Sequence, residues 1–72
     1  MHGPRFVSPI QGSVLRIDRV VGDRVAVGDS ILVVEAMKME NDLRAQRAGI
    51  VTEVAVDVGA SVRVGDHLFT IE

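Results

Sequence analysis

Val-Gly-Asp-Arg-Val-Ala-Val-Gly-Asp, residues 21–29, returns 37 residues later as Val-Gly-Ala-Ser-Val-Arg-Val-Gly-Asp, residues 58–66. With the same offset, nine of the thirty residues in 6–35 are identical to their counterparts in 43–72. A repeat of this length corresponds to one supersecondary unit, which needs a second copy to cover its apolar face. Two copies in one short chain therefore predict a single closed domain with pseudo-twofold symmetry.

Short strands joined by tight turns are the predicted structure of both copies. Val and Ile are frequent, and glycines punctuate the chain from Gly12 to Gly65, which is typical of such strands. Eight strands are predicted, over residues 5–8, 12–18, 24–26, 31–35, 40–44, 49–55, 61–63 and 68–72. The predicted fold class is all-β, a flattened barrel or a sandwich of two small antiparallel sheets.

Local irregularities are expected at equivalent places in the two copies. Val14 and Ile17 are three residues apart with Arg16 between them, and the second copy repeats this spacing. Strict alternation of apolar and polar residues fails there, which a β-bulge explains. The Val-Gly-Asp runs predict turns in which glycine takes positive φ and aspartate binds the nearby backbone.

The composition argues against several classes of function. The 72 residues are 47% hydrophobic, carry a net charge of −2, and include no Cys, Trp or Tyr. Such a chain builds one small core and has neither the basic patch nor the aromatic platform that binds nucleic acid. Disulfides and thiolate metal sites need cysteine, and no apolar run approaches the roughly 20 residues of a membrane span. We expect no nucleic-acid or membrane partner and a monomeric isolated domain.

The predicted domain covers residues 6–72. Residues 1–5 are expected to form a flexible N-terminal segment or the remnant of a linker, and they lack the apolar stretch of a signal peptide. A cytoplasmic location fits these features.

Lys38 is the only lysine, and it lies at the connection between the two copies. The other seven basic side chains are arginines. A lysine amine can lose its proton and act as a nucleophile, whereas a guanidinium cannot. Met37 and Met39 flank Lys38, and exposed methionines form adaptable contact surfaces. This pattern indicates a hairpin tip to which a group is attached. The alternatives are a lysine that only adds solubility and methionines that fold back onto the core.

The other polar residues suggest no catalysis. Glu35, Glu40 and Asp42 form either a solvated acidic rim or, for the two glutamates, part of a recognised surface. His2 and His67 are far apart and have no further ligands at metal-binding spacing, so no metal site is predicted. No serine lies at a motif distance from a histidine, so a hydrolase triad has no support.

The run Glu35-Ala36-Met37-Lys38-Met39-Glu40-Asn41 resembles the attachment motif of biotinyl domains, the carrier domains of biotin-dependent carboxylases. The resemblance covers about residues 6–72. It includes Ser8–Gly12, which is similar to an Ala-Pro-Met-Pro-Gly segment of the family but departs from it at Ile10 and Gln11. No inserted loop protrudes in the first copy, so the thumb of some bacterial members is expected to be absent.

The resemblance implies a carrier and not an enzyme. Lys38 would hold covalent biotin, and Glu35, Ala36, Met37 and Met39 would be recognised by a biotin protein ligase and later partners. The implied partners are that ligase, a biotin carboxylase and a carboxyltransferase. A eukaryotic parent carboxylase would place the domain in the mitochondrial matrix.

Three other functions remain open from the sequence. The nearest is a lipoyl-type carrier domain of a 2-oxo acid dehydrogenase complex. Another is an enzyme that uses Lys38 to form a Schiff base, which requires a desolvated lysine in a pocket. The last is a structural module that carries no modification.

Overall fold

Eight β-strands make up the regular structure of the chain in the computed structural model, which describes residues 4–72. The strands are β1 (Arg5–Val7), β2 (Gly12–Ile17), β3 (Arg24–Val25), β4 (Ser30–Ala36), β5 (Met39–Arg44), β6 (Gly49–Val54), β7 (Ser61–Val62) and β8 (His67–Ile71). Every predicted strand is present, and each observed boundary lies within one residue of the predicted one. Residues 4–72 contain no helix, and so none that could span a membrane.

The strands form two four-stranded antiparallel sheets that are copies of each other. One sheet has the order β1-β8-β6-β3 and the other has the order β5-β4-β2-β7. Adding four to a strand number, or subtracting four, converts one order into the other, so each sheet takes strands from both copies of the repeat. The register obeys the same rule, because Phe6 pairs with Phe69 as Leu43 pairs with Leu32. The predicted pseudo-twofold fold is confirmed.

The predicted bulges occur in both copies. The register of β2 against β4 shifts between Val14 and Arg16, and that of β6 against β8 shifts between Val51 and Glu53. One extra residue in each strand re-aims the side chains beyond it. The break in alternation therefore had a structural cause.

The core is built from repeat-related pairs. Phe69 stacks on Phe6 with ring centroids 4.7 Å apart. Ten fully buried apolar residues form five pairs that are 37 positions apart: Val14 and Val51, Val25 and Val62, Ile31 and Leu68, Leu32 and Phe69, Val34 and Ile71. Each sheet therefore contributes an equivalent face to one shared core.

The Val-Gly-Asp turns have the predicted geometry. Asp23 Oδ2 accepts a hydrogen bond from Val20 N at 2.9 Å, and Asp66 Oδ2 accepts one from Arg63 N at 2.8 Å. The glycine before each aspartate has a φ near +100° or +93°, which a residue without Cβ adopts at little cost. Backbone hydrogen bonds also tie these turns to distant segments, because Gly22 N donates to the carbonyl of Val51 and Gly65 N to that of Ser8, each at 2.8 Å.

The first strand begins at Arg5, as the strand predicted over residues 5–8 does, although Arg5 was also assigned to the flexible segment predicted over residues 1–5. Arg5 already belongs to β1 and pairs with Thr70, and Ile71 N donates to the carbonyl of Pro4 at 3.2 Å. The ordered domain thus includes Pro4 and Arg5, because backbone pairing with β8 continues past the apolar residues. Residues 1–3 of the predicted flexible segment lie outside the described residues.

Candidate functional site

Lys38 lies in a two-residue turn that joins β4 to β5. Ala36 and Met39 form the last pair of the ladder, and we call residues 36–39 the tip. Met37 has a φ of 53° and Lys38 a φ of 64°, the positive values that a type I′ hairpin turn requires at both central positions. Such turns normally carry Asn-Gly, since a Cβ is unfavourable there. The tip therefore holds two non-glycine side chains in a backbone conformation that disfavours them.

The side chain of Lys38 is exposed. In the part of the chain that the structure describes, no carboxylate forms an ion pair with its amine. The exposure of Lys38 disfavours the Schiff-base alternative, which requires a desolvated lysine in a pocket. The geometry instead suits acylation by an external enzyme, which needs a primary amine that it can reach.

The flanking methionines are exposed as predicted. Met37 is 94% exposed and Met39 is 66% exposed, so the alternative in which both fold back onto the core is wrong. Hydrophobic side chains at such exposure contribute little to folding. Their unbranched thioether chains leave an adaptable apolar surface on both sides of Lys38.

Two carboxylates face each other just below the turn. Glu35 in β4 is the direct partner of Glu40 in β5, and both are exposed. Like charges directly opposite each other destabilise a sheet, so folding does not favour this pair. Asp42, the third acid predicted here, instead bonds Arg44 at 2.7 Å and also Ser30. The acidic feature of the tip is therefore the Glu35 and Glu40 pair.

A shallow groove of about 640 Å³ runs beside the tip. Its walls are the segment before β2, the end of β4 and the turn before β8. We call it the tip groove; its lining residues are Pro9, Ile10, Gln11, Gly12, Glu35, Ala36, Met37 and Val64. Ala36, predicted as a recognised residue, is half-buried here. The fold thus brings Ser8–Gly12 against the attachment motif, far apart though they are in sequence.

Asn41 is a site residue that the sequence analysis did not single out. Its Nδ2 donates to the carbonyl of Met39 and to the carbonyl of Val34, each at 3.2 Å. The amide thereby ties the first residue of β5 to the neighbouring strand β4. Asparagine is depleted in strands, so its presence in β5 was the signal that could have identified it.

The tip points away from the C-terminal residue Glu72. Val64 lies beside Met37 in the tip groove, and β8 starts three residues later and runs to Ile71. A strand advances about 3.3 Å per residue, so β8 carries the chain away from the tip. The longest dimension of the domain is 31 Å. Lys38 and Glu72 therefore lie at opposite ends.

Replacing the turn by Asn-Gly tests whether its backbone is strained. We expect Met37→Asn with Lys38→Gly to raise the free energy of unfolding by about 1 kcal/mol, because asparagine and glycine tolerate positive φ. Urea denaturation measures this, and Met37→Asn alone should give part of the gain. An unchanged or lower stability of the double variant would show that the turn stores no strain.

His67, which was predicted not to bind a metal, lies at the start of β8 with its side chain largely buried. Its Nε2 lies 2.9 Å from Thr70 Oγ1 and 3.7 Å from Glu53 Oε1. Residues 4–72 contain no group of three metal-ligating side chains placed to hold an ion. His2 lies outside the described residues. The contacts of His67 are with Thr70 and Glu53 and not with residues 36–39.

Two relatives of the chain are both proteins of biotin-dependent carboxylation. The chain is 39% identical over 70 residues to the biotin-dependent acyl-coenzyme A carboxylase alpha3 subunit of Mycobacterium leprae, which covers 97% of the chain and 12% of that subunit. It is 41% identical over 64 residues to the biotin carboxyl carrier protein of Streptococcus mutans, covering 89% of the chain and 49% of that protein. The chain thus spans half or less of these relatives.

A solved structure supports the same assignment. The urea carboxylase of Kluyveromyces lactis superposes with a TM-score of 0.92 at 29% identity, over 100% of this chain and 6% of the enzyme. The biotin/lipoyl family model, described as biotin-requiring enzyme, matches residues 4–71. Since that match covers nearly the whole chain, the protein belongs to the biotin/lipoyl family of biotin-requiring enzymes.

Proposed function

We propose that this chain is a biotin carboxyl carrier domain, in which Lys38 Nζ holds biotin through an amide bond. The observation that carries the proposal is the exposed Lys38 on a strained two-residue turn, in a chain whose relatives are biotin carboxyl carrier proteins and carboxylase subunits. An exposed amine with no internal partner fits a covalent adduct, because attachment disturbs no contact of the fold. The domain itself catalyses no step.

Attachment requires the Lys38 amine to attack an activated carboxyl group. A biotin protein ligase would present biotin as its adenylate, and a ligase base would take one proton from the Lys38 ammonium. The free amine then attacks the acyl carbon; the new C–N bond forms, the bond to AMP breaks, and the second proton leaves Nζ for solvent. The reaction removes the positive charge of Lys38 and does not change the paired carboxylates of Glu35 and Glu40. The modified tip is therefore more acidic than the free one, which lets a ligase or partner distinguish the two states.

The bound biotin supplies a ring that carries a carboxylate between a biotin carboxylase and a carboxyltransferase. The residues of this chain determine how far the biotin extends from the domain and in which direction. Lys38 lies at the end away from Pro4 and Glu72, so a domain tethered beyond these residues presents the tip outward. Tethering raises the effective concentration of the carried group at both partner sites, and the paired β4 and β5 strands restrict where it searches.

The partners belong to the parent assembly. Because the chain matches only a part of its relatives, we infer that the biotin carboxylase and carboxyltransferase lie on other domains or subunits. Met37, Met39, Glu35 and Ala36 are the residues that we expect the ligase and these partners to contact. The acceptor that receives the carboxylate is determined by the carboxyltransferase and not by this domain.

Intact mass spectrometry tests the proposal directly. The chain is co-expressed with a biotin protein ligase in medium containing biotin, and its mass is measured before and after capture on streptavidin. We expect a gain of one biotinyl group located by peptide mapping at Lys38. A lipoyl group in its place would establish the lipoyl-type alternative, which the names of the relatives disfavour. An unmodified chain in the presence of active ligase would overturn the carrier function.

A further inference from the structure

Gly12 at the start of β2 lies tightly against the end of β4. A Cβ placed on Gly12 would collide with the carbonyl oxygen of Glu35, and it would lie 2.9 Å from Val34 Cγ1 and 3.1 Å from Ala36 Cβ. Gly12 does not have a positive φ, so the position demands empty space and not unusual backbone freedom. Since Ala36 is the last residue before the turn, anything that displaces it displaces the tip.

Asn41 restrains the same hairpin from its other strand. The two hydrogen bonds of its side chain join the carbonyl of Met39 to that of Val34. Met39 directly follows Lys38, so this amide fixes the second side of the turn. Gly12 acts on β4 and Asn41 acts on β5, and both act within two residues of the turn.

We propose that Gly12 and Asn41 are positioning residues for the modification of Lys38. The inference rests on the proposed function. It adds two residues, Gly12 and Asn41, to the lysine and methionines of the tip. Neither residue touches the reacting atoms. Their effect is on the place and direction in which the folded tip offers the amine of Lys38 to a ligase.

A displaced amine slows acylation more than it weakens recognition. Reacting atoms must meet at about 3–3.5 Å in a defined direction, and an error of about 1 Å lowers a rate by as much as 100-fold. The side chains that a ligase recognises all remain in Gly12→Ala and Asn41→Ala. We therefore expect kcat for biotin transfer to fall about tenfold in each variant, with a smaller rise in KM.

The pseudo-symmetry of the fold provides a matched control for Gly12. Gly49 is its repeat counterpart, and a Cβ there would collide with the carbonyl oxygen of Glu72 and lie 3.1 Å from Ile71 Cγ2. Gly49 also has a φ of 156°, so Gly49→Ala should destabilise the domain at least as much as Gly12→Ala. Its strain falls at the end of the domain that is remote from Lys38.

Thr52 provides the control for Asn41. Its Oγ1 donates to Glu72 Oε2 at 2.8 Å, also near the chain ends. Thr52→Ala removes a side-chain hydrogen bond without touching the tip. The two control variants thus reproduce the kinds of damage made at the tip, overpacking and a lost hydrogen bond, at the opposite end.

The experiment measures kcat and KM for biotin transfer by a biotin protein ligase to the 72-residue chain and its four variants. Assays run at a temperature where each variant is folded by circular dichroism, and trimethylamine N-oxide is added where one is not. Amide chemical shifts of residues 36–40 are recorded for each variant without ligase. We expect these shifts and kcat to change in Gly12→Ala and Asn41→Ala only.

Each outcome has a defined meaning. Equal kcat values for the tip variants and their controls would overturn the positioning roles, even if all five proteins accept biotin. If Gly12→Ala does not fold under any condition, Asn41→Ala against Thr52→Ala decides. If the parent chain accepts no biotin, the proposed function fails, and unchanged shifts at residues 36–40 would then overturn the positioning of the tip as well.

Discussion

We expect Lys38→Arg to abolish biotin incorporation and to leave the fold intact. Arginine keeps the positive charge and the approximate length of lysine, but its guanidinium does not lose a proton at accessible pH and does not acylate. The side chain is exposed and forms no ion pair within residues 4–72. We therefore expect the free energy of unfolding to change by less than about 0.5 kcal/mol. Streptavidin capture and intact mass measure incorporation, and urea denaturation measures stability.

A second variant tests whether a lysine elsewhere can substitute. Arg47 is exposed, and Lys38→Arg combined with Arg47→Lys restores the lysine count nine positions along the chain. We expect this double variant to take no biotin, because residue 47 is not on the tip. Biotin on either variant, mapped to any amine, would contradict the assignment of Lys38 as the attachment site.

Most of the fold could be predicted because both copies of the repeat carry the same pattern of strands and turns. Each copy alone leaves short apolar runs whose ends are ambiguous, but the offset of 37 aligns strand with strand and turn with turn. The bulges were also predictable, since Val14 and Ile17 break alternation at the place where the second copy does. The aspartate bonds inside the Val-Gly-Asp turns are local, so local sequence is sufficient to predict them. The backbone bonds from these turns to Val51 and Ser8 depend on the assembled fold.

The parts of the site that depend on contacts between distant segments could not be predicted in the same way. The attachment motif identified Lys38, but the closeness of Gly12 to the backbone of Glu35 depends on the register of β2 against β4. The two hydrogen bonds from Asn41 Nδ2 to the carbonyls of Val34 and Met39 likewise require the paired hairpin. The opposition of Glu35 and Glu40 follows from a two-residue turn, and a longer turn would have separated them.

Hydrophobic patterning alone does not predict where the backbone pairing of β1 begins. Hydrophobic patterning ends near Phe6, whereas the backbone pairing of β1 with β8 extends to Arg5 and Pro4. Backbone hydrogen bonds do not depend on side-chain polarity, so composition does not mark their last member.

Moving the lysine by one residue should prevent its modification. The double variant Lys38→Met with Met39→Lys keeps composition, charge and local hydrophobicity. Residue 38 lies in the turn with a φ of 64°, whereas residue 39 is in β5 and pairs with Ala36. Alternation along β5 places residue 39 on the face of the half-buried Asn41 and Leu43. A lysine at 39 therefore leaves the tip in another direction, and we expect the initial rate of biotin transfer to fall about 100-fold.

The single variant Met39→Lys is the matched control, because it has the same new lysine but keeps Lys38. It should accept one biotin at Lys38 at a rate within a few-fold of the parent, which would show that a lysine at 39 does not repel the ligase. Circular dichroism and urea denaturation should find both variants folded, since a methionine already occupies a positive φ at position 37. A ligase that reads only a flexible amine near the motif would modify the swapped chain as fast as the parent. That result would show that the geometry of the turn does not select Lys38, whereas the expected loss would mean that the ligase recognises the folded tip.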